Sequence, residues 1–219
     1  MSTSPNFRLL GGLAAAALAL ASLGPPGPAW TQENAPPPPE KRAEKRGPPP
    51  PSLPKTPVER DRTLSDLYAL LATADDETSA KTIADSIERI WLHSGSATVD
   101  LLFGRAMEAI SEKNYDQALT FIDHVVEQAP DFTEGWSRRA FVHFQRNQVS
   151  LALGDLRRAL ALDPNHFKAL DGLSQVLRDI GENRAALQVL RRLSDVHPYW
   201  GGTTQAIEEL TREVEGQGI

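Results

Sequence analysis

The chain has 219 residues, a formal net charge of −6 and no cysteine. The missing thiols exclude disulfides, cysteine-based metal sites, thiol nucleophiles and lipid attachment through an N-terminal cysteine. The acidic balance argues against a nucleic-acid partner, because short basic pairs such as Arg157-Arg158 and Arg191-Arg192 are broken up by acids and apolar residues.

Residues 1–29 have the layout of a secretory signal. A lone basic residue, Arg8, precedes the short apolar run Leu9–Ala21, and a Pro/Gly break with small residues follows. Read otherwise, the run is an uncleaved membrane anchor, although it is shorter than the ~20 apolar residues needed to span hydrocarbon. The expected address is periplasmic or secreted, with an inner-membrane anchor facing the periplasm as the alternative. Residues 30–57 form a proline-rich spacer. Thirteen of the seventeen prolines fall between Pro25 and Pro57, which favours extended polyproline II chain with little surface to bury.

Beyond the spacer the composition turns rich in Leu, Ala, Glu and Arg, and residues 58–96 predict a helical hairpin. Helices are expected over Arg62–Ala74 and Thr78–His93. Leu64, Leu67, Leu70 and Leu71 make one apolar stripe at helical spacing, and Ile83, Ile87, Ile90 and Trp91 make another.

A strict period follows. Pro130, Pro164 and Pro198 are 34 residues apart, and twelve residues before each stands Ala118, Ala152 or Ala186. Two helices that cross at close range need a short side chain where their axes meet, and proline ends a helix by driving the preceding residue out of the α region. The pattern therefore reads as three helical hairpins over 99–132, 133–166 and 167–200. Ala84 lies one further period upstream, so the leading hairpin is expected to be a divergent first unit capping the stack. After Gly201-Gly202, a helix capped by Thr203 or Thr204 should close the far end within 201–219. Its apolar face is Ile207, Leu210 and Val214.

These units resemble the tetratricopeptide repeat family, whose unit is a 34-residue helix-turn-helix. Trp136 matches the tryptophan of the first helix, with Leu102 and Leu170 in its place elsewhere. Ala106, Ala140 and Ser174 match the small position of that helix. The resemblance implies an all-α solenoid of helical hairpins with a concave interaction surface. Carried over position by position, the groove residues are Phe103, Met107 and Ile110 in the first unit, Arg138, Phe141 and Phe144 in the second, and Lys168, Gln175 and Arg178 in the third. Of the basic clamp that some members use for a terminal carboxylate, only Lys168 remains, so such a clamp is not expected. An apolar floor with a basic end instead suits a protein or peptide partner with apolar anchors and an acid. The same aromatics can alternatively be core, packed on the chain's own hairpin or closing helix. Self-association into a homo-oligomer through the groove is a further reading, and membrane contact is expected only if the N-terminal segment stays uncleaved.

Arg105 and Arg139 stand one period apart, where the family places a buried leucine. They either snorkel to the surface or pair with carboxylates in the groove. No enzyme motif stands at recognisable spacing and no cofactor is implied. The five histidines are scattered: His166 and His197 fall at inter-helix turns, and His143 at a packed position of a first helix. The helix register is testable. Ala152→Leu should force the second unit's helices apart at a cost of about 1–3 kcal/mol. Thermal unfolding should show a melting temperature several degrees lower, and an unchanged curve would refute the register.

Overall fold

Short side chains set the helix spacing, and the structure is built around them. The computed structural model describes residues 53–54 and 56–216, which form nine α-helices and no strand. The signal read at 1–29 and nearly all of the spacer lie outside the described residues. The helices are α1 (Pro57–Ala72), α2 (Glu77–Trp91), α3 (Ala97–Ser111), α4 (Tyr115–Gln128), α5 (Thr133–Gln145), α6 (Val149–Leu162), α7 (Phe167–Asp179), α8 (Asn183–Val196) and α9 (Thr203–Gly216). Pairs α3/α4, α5/α6 and α7/α8 pack as hairpins, and α4/α5, α6/α7 and α8/α9 stack them into an all-α solenoid. Ala106, Ala140 and Ser174 on the first helices, and Ala118, Ala152 and Ala186 on the second, are all buried.

The turn inside each hairpin repeats a backbone device. Lys113, Asn147 and Gly181, again one period apart, adopt left-handed φ of 59°, 60° and 80°. The next N–H then bonds the carbonyl five residues back: Asn114 to Ala109, Gln148 to His143 and Glu182 to Leu177, each at 2.8 Å. Glycine takes this conformation freely and asparagine tolerates it, while lysine is strained there. Between units, the carbonyls of the helix-ending prolines accept from an arginine 28 residues on. Arg158 Nη2 donates to Pro130 at 3.3 Å and Arg192 Nη2 to Pro164 at 3.2 Å. The paired arginines of the sequence therefore contribute to unit stacking.

Arg105 and Arg139 take different fates. Arg139 donates from Nε and Nη2 to both oxygens of Asp155 on α6, each at 2.8 Å, and from Nη1 to Asp123 on α4 at 3.0 Å. Its guanidinium also lies 4.7 Å from the centre of the Trp136 ring. This clasp joins α4, α5 and α6 rather than facing a partner. Arg105 is 62 % exposed and lies 3.9 Å from Glu108; one period before Asp155 the sequence has Phe121, which offers it no carboxylate.

The leading hairpin does not continue the stack, contrary to what the position of Ala84 suggests. Its buried residues, among them Leu64, Leu71, Ile87 and Trp91, share one core with Phe167, Leu190 and Leu193 of the third unit, and α1 packs on α8. The α3–α4 core is separate. The physical reason lies on α3, whose surface at Leu101, Arg105 and Glu108 offers one apolar residue and two charges. The junction of the second and third units instead offers aromatic surface. Trp91 stacks on His166 with centroids 3.7 Å apart and planes 9° from parallel, and packs on Phe167 at 4.6 Å. Its Nε1 donates to Tyr68 at 3.2 Å, and Tyr68 donates to Asp163 at 2.5 Å. At the other end of the hairpin, Tyr199 donates to the Asp75 carbonyl at 2.8 Å.

Helix ends refine the sequence reading. α1 starts at Pro57 rather than Arg62, because Thr56 caps it by accepting from the Glu59 N–H at 3.1 Å and proline suits the first turn. Asp76 caps α2 in the same way, through the Ser79 N–H at 2.9 Å. Leu70 is exposed, and Tyr68 takes the buried place its spacing suggested. Thr203 does not cap α9; it is buried within the helix with its Oγ1 unpartnered, and Gly202 precedes it at φ 78°. On α9, Leu210 is buried and Ile207 and Val214 are half-buried, as expected.

The strained turn gives a test. Lys113→Gly should relieve left-handed strain and stabilise the fold by about 1 kcal/mol. That corresponds to a rise of roughly 2–4 °C in melting temperature, and a fall would contradict the assigned turn.

Candidate functional site

α5 and α7 lie side by side on the inner surface, and small residues between them leave a cleft of about 270 Å³. Ala140, Leu156 and Val176 form its floor, and Phe141, Phe144 and Trp200 its apolar walls. Phe141 is 42 % exposed although it belongs to an ordered helix. Arg138, Lys168, Asp171 and Gln175 ring the opening. A second recess of about 490 Å³ shares Phe144 and Gln175 with the first and runs past Arg178 and Asp179 to Leu210 and Glu213 of α9.

The structure thus gathers Arg138, Phe141, Phe144, Lys168, Gln175 and Arg178 from the sequence-based groove, and leaves out the three residues of the first unit. Phe103 is buried edge-on against Phe132, with centroids 5.2 Å apart. Met107 packs on that same α3–α4 core, and Ile110 packs beside Ala109, Ala118 and Val142. Phe103 and Met107 thus pack within the first unit and Ile110 between the first and second, rather than on the leading hairpin or closing helix that the core reading named. Trp200 was missed. Its signal was its place at the end of a unit, equivalent to Phe132 and His166.

The electrostatics differ from the basic end expected of the groove. Arg138 Nε donates to Glu134 Oε1 at 2.6 Å, and Glu134 is only 1 % exposed. The other oxygen of Glu134 accepts from His166 Nε2 at 2.8 Å. His166 Nδ1 accepts from the Ala169 N–H at 3.2 Å, which places the ring proton on Nε2. Burial pushes the Glu134 carboxyl up, but the His166 hydrogen bond and the Arg138 charge outweigh it and hold the group at about 2, below its ordinary 4.5. Lys168 Nζ is held by Glu88 of α2 at 2.6 Å. Asp171 has no such cation among the described residues. Gln175 Nε2 donates to it at 2.7 Å and the Trp200 side chain also hydrogen-bonds it, yet burial raises its pKa.

The histidines at the inter-helix turns are not surface groups. His166 is fully buried under Trp91. His197 is buried edge-on to Phe167 at 5.2 Å, and burial lowers its pKa. His143 is packed as expected, with Nδ1 2.8 Å from Gln148 Oε1. Among the described residues no cluster has the makings of a metal site, and no helix is long and apolar enough to cross a membrane.

Stacked 34-residue hairpins with a cleft on their inner face define an α-helical repeat protein. Residues 133–166 match the family model of the tetratricopeptide repeat. Over 153 residues the chain is 32 % identical to a TPR repeat-containing protein of Rhizobium etli, spanning 70 % of this chain and 75 % of that one. The chain belongs to the tetratricopeptide repeat family. It is also 28 % identical over 124 residues to the outer membrane protein assembly factor BamD of Caulobacter vibrioides, covering 50 % of this chain but only 40 % of that protein. Among solved structures, the first TPR of Spaghetti (RPAP3) bound to the HSP90 peptide SRMEEVD shares the fold. Its TM-score is 0.51 at 16 % identity, over 53 % of this chain and 93 % of that one.

The buried Glu134 predicts a pH signature. Its carboxyl is held below its ordinary value, so the stability it contributes is present above about pH 4.5 and is lost as the pH falls toward 2. Glu134→Gln should cost about 1.5–3 kcal/mol at pH 7. In urea unfolding the gap to the wild type should narrow steadily between pH 5 and pH 3, and a constant gap would contradict the ionised pairing.

Proposed function

We propose that this protein is a non-catalytic interaction scaffold that holds a protein or peptide partner in the cleft between α5 and α7, and that it acts in the periplasm or outside the cell. The observation that carries the reading is Phe141, a large aromatic left 42 % exposed at a recess with an apolar floor. An aromatic side chain buries on the order of 150–250 Å² when covered. Interface hot spots concentrate on such anchors in pockets ringed by polar groups. A cleft of about 270 Å³ accepts one or two bulky side chains and is too small for a folded surface. A short segment projecting an anchor is therefore the fitting ligand. The export layout of residues 1–29 and the similarity to an outer membrane assembly factor support the envelope address.

The deciding experiment is a crosslinking pull-down from the producing cell, with wild type beside a Phe141→Glu/Phe144→Glu variant whose melting curve is unaltered. One dominant partner should be recovered by the wild type and lost by the variant. Equal recovery by both would remove the cleft from the function.

A further inference from the structure

Read as a list of residues, the cleft is basic; read as a structure, it is not. Arg138 and Lys168 are each neutralised within the fold, by Glu134 at 2.6 Å and by Glu88 at 2.6 Å. An incoming carboxylate would have to displace Glu88 from Lys168, or approach Arg138 against the charge of Glu134 behind it. The Glu134 oxygens are bound by Arg138 Nε and His166 Nε2, so the Arg138 charge is already balanced before any ligand arrives.

Asp171 stands one helical turn from Lys168 on the same wall, and its situation is the reverse. Its hydrogen bonds come from neutral donors, Gln175 and the side chain of Trp200, which orient the carboxylate without cancelling its charge. The adjoining recess adds Asp179 and Glu213 against Arg178. Glu213 is likewise held by a neutral donor, Asn183 Nδ2, at 2.6 Å. The uncompensated charge of the cleft is therefore negative and centred on Asp171, in the same cleft that the exposed Phe141 ring lines. A half-desolvated carboxylate with no cation gains more from a charge-assisted hydrogen bond than one at an open rim.

We propose that the α5–α7 cleft takes a cationic peptide segment, with a bulky apolar or aromatic side chain against Phe141 and Phe144 and an adjacent Lys or Arg on Asp171. This rests on the reading of the cleft as the docking site and specifies the chemistry of its ligand, opposite in charge to the acid that the basic residues suggest from sequence. The raised pKa of Asp171 agrees with it: burial disfavours the charged form, and a ligand cation restores it.

The test uses the full chain and two fluorescein-labelled peptides with identical Gly/Ser flanks, one with a Lys-Phe-Lys core and one with a Glu-Phe-Glu core. Fluorescence anisotropy should show the Lys-Phe-Lys peptide binding about tenfold or more tightly than its acidic twin. Asp171→Asn keeps the acceptor for the Trp200 side chain and should reduce that preference to about twofold or less, while Phe141→Ala should weaken binding of the preferred peptide. If the acidic peptide binds as well or better, and Phe141→Ala weakens it, the charge inference is overturned and the docking cleft stands. A preference that survives Asp171→Asn reflects the overall charge of the chain and overturns the role of Asp171. If neither peptide binds, or Phe141→Ala changes nothing, the docking reading falls with it.

Discussion

A buried carboxylate and an imidazole hold this structure together where three of its parts meet. Glu134 opens α5, His166 closes the turn into α7, and Trp91 ends α2; their side chains form one continuous contact, carboxylate to ring edge and ring face to indole. Each member needs the others. Without His166 the Glu134 carboxylate would be a buried acceptor with only Arg138 for company, a costly state in a low-dielectric interior. Without Trp91 the imidazole face would lie open to water, and the leading hairpin would lose its central anchor. The same carboxylate occupies Arg138, so the interaction that fastens the hairpin also sets the charge presented at the cleft.

The repeats supply the frame for this joint by simple means. Small residues let the helices cross closely, a left-handed residue turns each hairpin, and arginines cap the carbonyls of the helix-ending prolines. The second unit departs from this economy with the Arg139 clasp, in which two aspartates from different helices share one guanidinium. Bidentate arginine–carboxylate geometry is directional, so the clasp fixes the orientation of α5 between α4 and α6. α5 is also the helix that presents Phe141 and Phe144 to the cleft. The rigid placement of the aromatic anchors follows from ion pairs on the opposite side of the helix.

The function drawn from this geometry is narrow in its chemistry. Apolar volume for one or two bulky side chains lies beside a carboxylate with neutral partners, while Arg138 and Lys168 are held by Glu134 and Glu88. Among the described residues the third unit takes part in both features, since it meets the hairpin through Phe167 and lines the α5–α7 cleft through Asp171, Gln175 and Val176. The first unit, whose Phe103 points into its own core, stands apart from both tasks.

Periodicity is a local property, and the sequence by itself determined what is local. The 34-residue spacing of Pro130, Pro164 and Pro198 gave the hairpins, the alanines gave the helix crossings, and the apolar stripe on α9 gave the closing helix. The aromatic character of the second unit's inner face was also legible, because helix phase alone puts Phe141 and Phe144 on one side. Other features depend on residues far apart in the chain, and only the tertiary structure decided them. Trp91 found His166 seventy-five positions away, so the leading hairpin left the stack that its own period suggested. Arg105 and Arg139 stand at the same repeat position yet differ in burial, because Arg139 meets Asp155 of its own unit and Asp123 of the preceding one, whereas Phe121 holds the place of Asp155 beside Arg105. The sign of the cleft was decided in the same way. Charge listed along a helix is a sum over neighbours in sequence, whereas the field in the cleft is a sum over neighbours in space: Glu134 stands one turn from Arg138 in the sequence itself, but Glu88 lies eighty positions from the Lys168 it neutralises.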